Sequence, residues 1–163
     1  MRQTESFTIR MLVIGLVAGG MVAATAAAAG RRPEGDLHYV GSKACQGCHP
    51  DEYQSFIEHA KKARSFASVE KMRPKLTPEE YRGCLHCHTT GFGRPGGFVS
   101  EEATPELKNA GCEVCHGPGS RHVASAEAAD IQGVLNRQDC EACHNKERVE
   151  AFHYTPLIFG GGH

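Results

Sequence analysis

Apolar positions follow two different patterns along this chain. Residues 11–29 form one unbroken apolar, uncharged run behind a short segment carrying Arg2 and Arg10. The run closes on TAAAAG, small residues suited to cleavage just before Gly30, so residues 1–29 read as a signal peptide. An uncleaved anchor is the alternative, because nineteen such residues nearly span a bilayer. No cysteine adjoins the site, which removes a lipoprotein anchor. Residues 30–163 then form one domain.

Beyond the leader, apolar residues recur at helical spacing. Tyr53, Phe56, Ile57, Ala60, Ala63 and Ala67 predict one helix over 51–70, with His59 near its middle. Two prolines between residues 72 and 78 break it. Thr77-Pro78-Glu79-Glu80 is a capping box with proline at the first helical position, starting a short helix into Cys84. Residues 89–100 hold five Gly or Pro and predict a loop. Thr104-Pro105-Glu106 opens another short helix, stopped by Gly111. Residues 120–135 predict an alanine-rich helix, and Asp139 an N-cap for a last one. No strand pattern emerges. The expected fold class is mainly α with long loops and little or no β.

Four copies of one string change the picture: CQGCH from Cys45, CLHCH from Cys84, CEVCH from Cys112 and CEACH from Cys140. They use all eight cysteines and four of the ten histidines. C-x-x-C-H is the attachment signature of c-type haem: two thiols add to the porphyrin vinyl groups, and the histidine ligates iron. Four disulfides would give no reason for a histidine after every second cysteine. Zinc would draw its pairs from separated knuckles, and a thioredoxin-like site needs a βαβ context absent here. The motifs therefore predict four covalent haem c groups. Export agrees with covalent haem attachment and points to the periplasm or beyond.

With one porphyrin for every ~33 residues of the mature chain, the haems must supply much of the apolar core. Losing the leader leaves 16 basic and 18 acidic side chains, a net charge of −2. Haem propionates add to that, so an electrostatically steered basic redox partner is expected, and nucleic acid is not. No acid–base or nucleophilic constellation stands out, since every cysteine is committed to a thioether.

The segments YVGSKACQGCHPDEYQSF, CLHCHTTGF and GCEVCHGPGSRHV resemble the tetrahaem cytochrome c-554 family, over residues 39–163. CHGPGS-x-H is the most specific piece. The resemblance implies a periplasmic or extracellular electron-transfer protein, largely α-helical, with closely packed haem pairs. One branch of the family takes electrons from hydroxylamine oxidation and keeps one haem open. This chain is compact, so partner-specific loops are not carried over.

Axial ligands separate carrier from enzyme. The motifs supply proximal His49, His88, His116 and His144, and six histidines remain. Met72 is the only methionine beyond the leader, so bis-histidine ligation and low potentials are expected. By resemblance, His59 and His122 match family distal ligands, and His163 closes a tail like the family's ligand segment. His153 in that tail and His38 before the YVGS match are further candidates. His86 lies inside motif two on a tether too short for its own haem's far side, so solvent or a propionate is its better partner. Arg94, Arg121 and Lys43 are candidates for propionate pairing, against solvated charge. Gly117, Pro118 and Gly119 predict a tight turn near porphyrin. Tyr39, Tyr53 and Tyr81 fit haem-pocket walls or ordinary packing equally.

The leading expectation is a diffusible electron carrier between redox proteins, with no stable membrane insertion after leader removal. Two alternatives stay open. One is a reductase of small nitrogen oxides at an open-coordinate haem. The other is a subunit of a conductive filament, a homo-oligomer in which a histidine crosses between copies.

Overall fold

The computed structural model describes residues 37–145, and within them the chain is helical, with no strand. Among the described residues there are six α-helices: α1 (Pro50–His59), α2 (Phe66–Met72), α3 (Pro78–His88), α4 (Cys112–His116), α5 (Ser120–Ser125) and α6 (Arg137–Glu141). Single 3-10 turns join several of them. Among the described residues no helix is long and apolar enough to cross a membrane. The leader and its cleavage site lie outside the described residues, as do His153 and His163.

The helix expected over 51–70 is two helices. Ala60 is extended (φ −81, ψ 117), and a 3-10 turn at Lys61–Arg64 follows before α2 begins. His59 therefore ends α1 instead of occupying mid-helix. The cause is tertiary. Phe66 N–H donates to the Asn109 side chain (3.0 Å), and the Ser65 hydroxyl donates to the His88 carbonyl (2.9 Å). Arg64 donates to the Ile57 carbonyl, satisfying an orphan acceptor at the end of α1. These bonds re-aim α2 so that Phe66 and Val69 enter the core.

The capping box forms as expected: Thr77 accepts from the Glu80 N–H, and Glu80 accepts from the Thr77 N–H. Its helix runs further than Cys84 and takes in all of motif two, to His88. The helix expected after Thr104 is a three-residue 3-10 turn, Pro105–Leu107. There the Leu107 carbonyl accepts from Thr90 N–H (2.9 Å), a bond to the 89–100 loop in place of one along a helix.

The helix expected over 120–135 stops at Ser125. Ala126 is left-handed (φ 58), the one non-glycine residue with positive φ among those described. The Ser125 hydroxyl donates to Asp130 (2.6 Å) and accepts from Glu127 N–H (3.1 Å), a local competitor to helical bonding. For α6 the N-cap is Asn136, not Asp139. Asp139 stands at the third helical position and accepts the Asn136 N–H (2.8 Å), the acidic half of the capping box.

The core is small. Phe66, Val69, Leu85, Phe98 and Leu107 form one buried cluster, with Tyr39, Tyr81, Cys84 and Phe92 packed against it. The Phe66 and Phe98 rings meet at 5.8 Å and 56°. The 89–100 segment is a loop as expected, yet Thr89 and Thr90 at its start are fully buried. The Thr89 hydroxyl donates to the Leu85 carbonyl, and that of Thr90 to the Asn109 carbonyl. This cluster pins α2 to α3 and thereby fixes motif two.

Candidate functional site

Each C-x-x-C-H string folds as one helical turn. Positions i, i+3 and i+4 share a helix face, so the spacing brings two thiols and an imidazole together. Motif two lies within α3, and motif three is α4. Motif one leaves a 3-10 turn, and motif four leaves α6. In both, the histidine N–H donates to the carbonyl of the first cysteine, His49 to Cys45 and His144 to Cys140, each at 2.9 Å. None of the eight cysteines is in a disulfide.

The motifs lie close together: one beside three, two beside four, and Cys115 of motif three near enough to act on Cys143 of motif four. Cys45 of motif one and Cys112 of motif three lie within hydrogen-bonding reach of one another. A hydrogen bond between them lowers the Cys112 thiol to about 6, against burial that opposes it, with help from Ser42. The same contact, with burial, pushes Cys45 up. Motifs two and four meet through Cys87 and Cys143. Burial, then the Cys87 charge and hydrogen bond, push Cys143 up to about 12. Between these two motifs lies a cavity of about 360 Å³. Cys84, Cys87 and His88 line one side and Cys143 and His144 the other, with Lys61 and Lys62 among the remaining walls. Burial, then the Lys62 charge, lowers the His144 imidazole.

Three imidazoles share one restraint. His88 Nδ1 is 2.8 Å from the Ser65 carbonyl, His116 Nδ1 is 2.7 Å from that of Gln132, and His122 Nδ1 is 2.9 Å from that of Glu127. A carbonyl can only accept, so Nδ1 carries the proton and Nε2 keeps its lone pair for a metal. Cysteine pairs beside imidazoles with a committed Nδ1 fit covalent haem and its iron. The His49 and His122 rings are neighbours, with centres 6.1 Å apart and planes at 27°.

The other candidates are placed as follows. His59 is at the surface, its side chain 70% exposed and 3.8 Å from Glu58. His38 is exposed and its backbone pairs with Ser120, beside the start of α5. His86 meets Phe92 edge-on at 4.9 Å. Arg94 and Lys43 are exposed, Arg121 is half-buried, and Arg94 acts on Tyr39. Gly117 does adopt the positive φ (77) that the turn after motif three requires. Glu113 and Lys62 were missed by the sequence reasoning. A charged residue between two motif cysteines was the available signal for Glu113. The lysine pair Lys61-Lys62 had none beyond its charge.

These features are those of a c-type cytochrome, a protein with covalently bound haem. The model of the family described as cytochrome c554 and c-prime matches residues 44–117, from the lead-in of motif one through motif three. The chain is 34% identical over 113 residues to cytochrome c-554 of Nitrosomonas europaea, a match covering 63% of this chain and 47% of that protein. It thus spans about half the length of this curated relative. No solved structure matches. Both comparisons point to the same family, cytochrome c554 and c-prime, with the family model confined to residues 44–117.

Proposed function

We propose that this protein is an exported electron carrier holding four covalent haems, mostly with two axial histidines and low potentials. The observation that carries the proposal is the His49–His122 pair. Two imidazoles bound through nitrogen to opposite faces of one metal, with bonds of about 2 Å, have ring centres about 6 Å apart. The observed separation is 6.1 Å, and His122 keeps Nε2 available. His49 belongs to motif one and His122 to α5 after motif three, so one iron would tie two motifs together.

Bound haem supplies reversible one-electron chemistry. The protein's part is to hold and orient. Cys45, Cys48, Cys84, Cys87, Cys112, Cys115, Cys140 and Cys143 anchor the groups, and the carbonyls of Ser65 and Gln132 aim His88 and His116. Contacts of motif one with three and two with four keep sites close within each pair. Lys61 and Lys62, at the cavity between motifs two and four, are placed to pair with propionates. The apolar leader supports a periplasmic or extracellular location. His59, His38, His153 and His163 remain candidates for the other distal positions.

The surface position of His59, expected as a distal ligand, favours a second reading, in which one iron left open reduces a small nitrogen oxide. Optical spectra of the dithionite-reduced holoprotein, before and after carbon monoxide, test both. A carrier with closed haems shows a sharp c-type α-band that carbon monoxide leaves unchanged. A change in about one quarter of the haem exposes an open iron and favours the reductase. No α-band at all would refute the haem assignment.

A further inference from the structure

Glu113, the second residue of motif three, is 2% exposed. Its carboxylate reaches two other segments of the chain. Oε1 accepts from Val40 N–H at 2.9 Å and Gly119 N–H at 2.7 Å. Oε2 accepts from Gly41 N–H at 2.8 Å and shares the Val40 N–H at 3.1 Å. Both oxygens act as acceptors, the role of an ionised carboxylate, and charge-assisted bonds to backbone N–H are among the stronger kinds.

The two segments lead to different imidazoles. Val40 and Gly41 precede the 3-10 turn Ser42–Cys45, whose last residue opens motif one, the string that closes on His49. Gly119 is the N-cap of α5, which carries His122. The backbones of His38 and Ser120 add a direct link between these segments. A single buried side chain on motif three therefore sets the distance between the start of motif one and the start of α5.

Resting on the His49–His122 axial pairing proposed above, we infer that Glu113 is the positioning residue of that pair. It acts through the backbone, holding the two imidazoles at the separation one metal requires. A neutral amide cannot replace it. Gln would turn an NH2 group toward the N–H groups on one of its two sides, releasing either the lead-in to motif one or the cap of α5.

The test compares E113Q with H122A in the full holoprotein, with haem content measured first. E113Q is expected to convert about one quarter of the haem from low-spin to high-spin, and to let carbon monoxide bind that fraction. Added imidazole should restore the low-spin spectrum. The H122A/E113Q double variant should open no more haem than H122A alone, since both act on one iron. A merely structural Glu113 would lower the unfolding midpoint and leave every haem low-spin, which overturns the inference. If E113Q does not assemble, E113D keeps the charge on a shorter reach. A partly high-spin E113D supports the role, and a wholly low-spin one overturns it. Should H122A itself leave the spectrum unchanged, the axial pairing fails first, and Glu113 has no such pair to position.

Discussion

Phe66 offers the sharpest test of what holds motif two in place. Its side chain is fully buried, packs on Phe98 at 5.8 Å, and shares its cluster with Val69, Leu85 and Leu107. Leu85 lies on α3 inside motif two, so the cluster connects directly to a haem attachment turn. Truncating a buried Phe to Ala removes its transfer energy and leaves a cavity, together about 3–5 kcal/mol. Against a typical total of about 5–15 kcal/mol, that is a large share. We expect F66A to lower the unfolding free energy by that amount, read as a fall in the guanidinium midpoint at unchanged slope. Far-UV circular dichroism and Soret absorbance should report the same transition. F56A is the comparison: Phe56 is 6% exposed and stands outside the cluster, so its loss should be smaller. An F66A shift below about 1 kcal/mol would refute the reasoning and make haem contacts the dominant support.

T77A removes the hydroxyl half of the α3 capping box and should lower the holoprotein's Tm by a few degrees in scanning calorimetry. Hydrogen bonds from Thr77 hold the Glu80 carboxyl below its ordinary value, so its contribution is present above the usual Glu range. It is lost as pH falls through the lower folded value, and the gap between T77A and the parent should narrow there. At Gly97 a methyl group would overlap the Gly91 carbonyl, and Gly91 itself (φ 71) lies against the Tyr39 ring. G97A should break the Phe98 N–H to Thr90 bond and open the 89–100 loop to limited proteolysis. An unchanged cleavage pattern would contradict that close approach.

Local signals survived folding where the interaction itself is local. The Thr77–Glu80 box spans four residues, and the C-x-x-C-H strings span five, so each closes within about one helical turn. Even there, partners can be confused. Asn136 and Asp139 both accept N–H groups in one box, and sequence alone selected the wrong one as the cap. The breaks at Ala60 and Ala126 were illegible for a different reason. Apolar spacing runs through both, and they are imposed by side chains such as Asn109 or by local competitors such as Ser125.

By itself the sequence determined which thiols and imidazoles recur in one pattern, how each string turns, and the likeness of residues 44–117 to the cytochrome c554 and c-prime family. Those facts depend on residue type and short spacing. Only tertiary structure decided which motifs adjoin, that His122 meets His49, and that His59 stands at the surface. The groups that arrange the site are backbone carbonyls and amides, which carry no side-chain signature. Glu113 meets Val40 and Gly41 across 73 and 72 residues, a pairing that exists only once the chain has closed on itself.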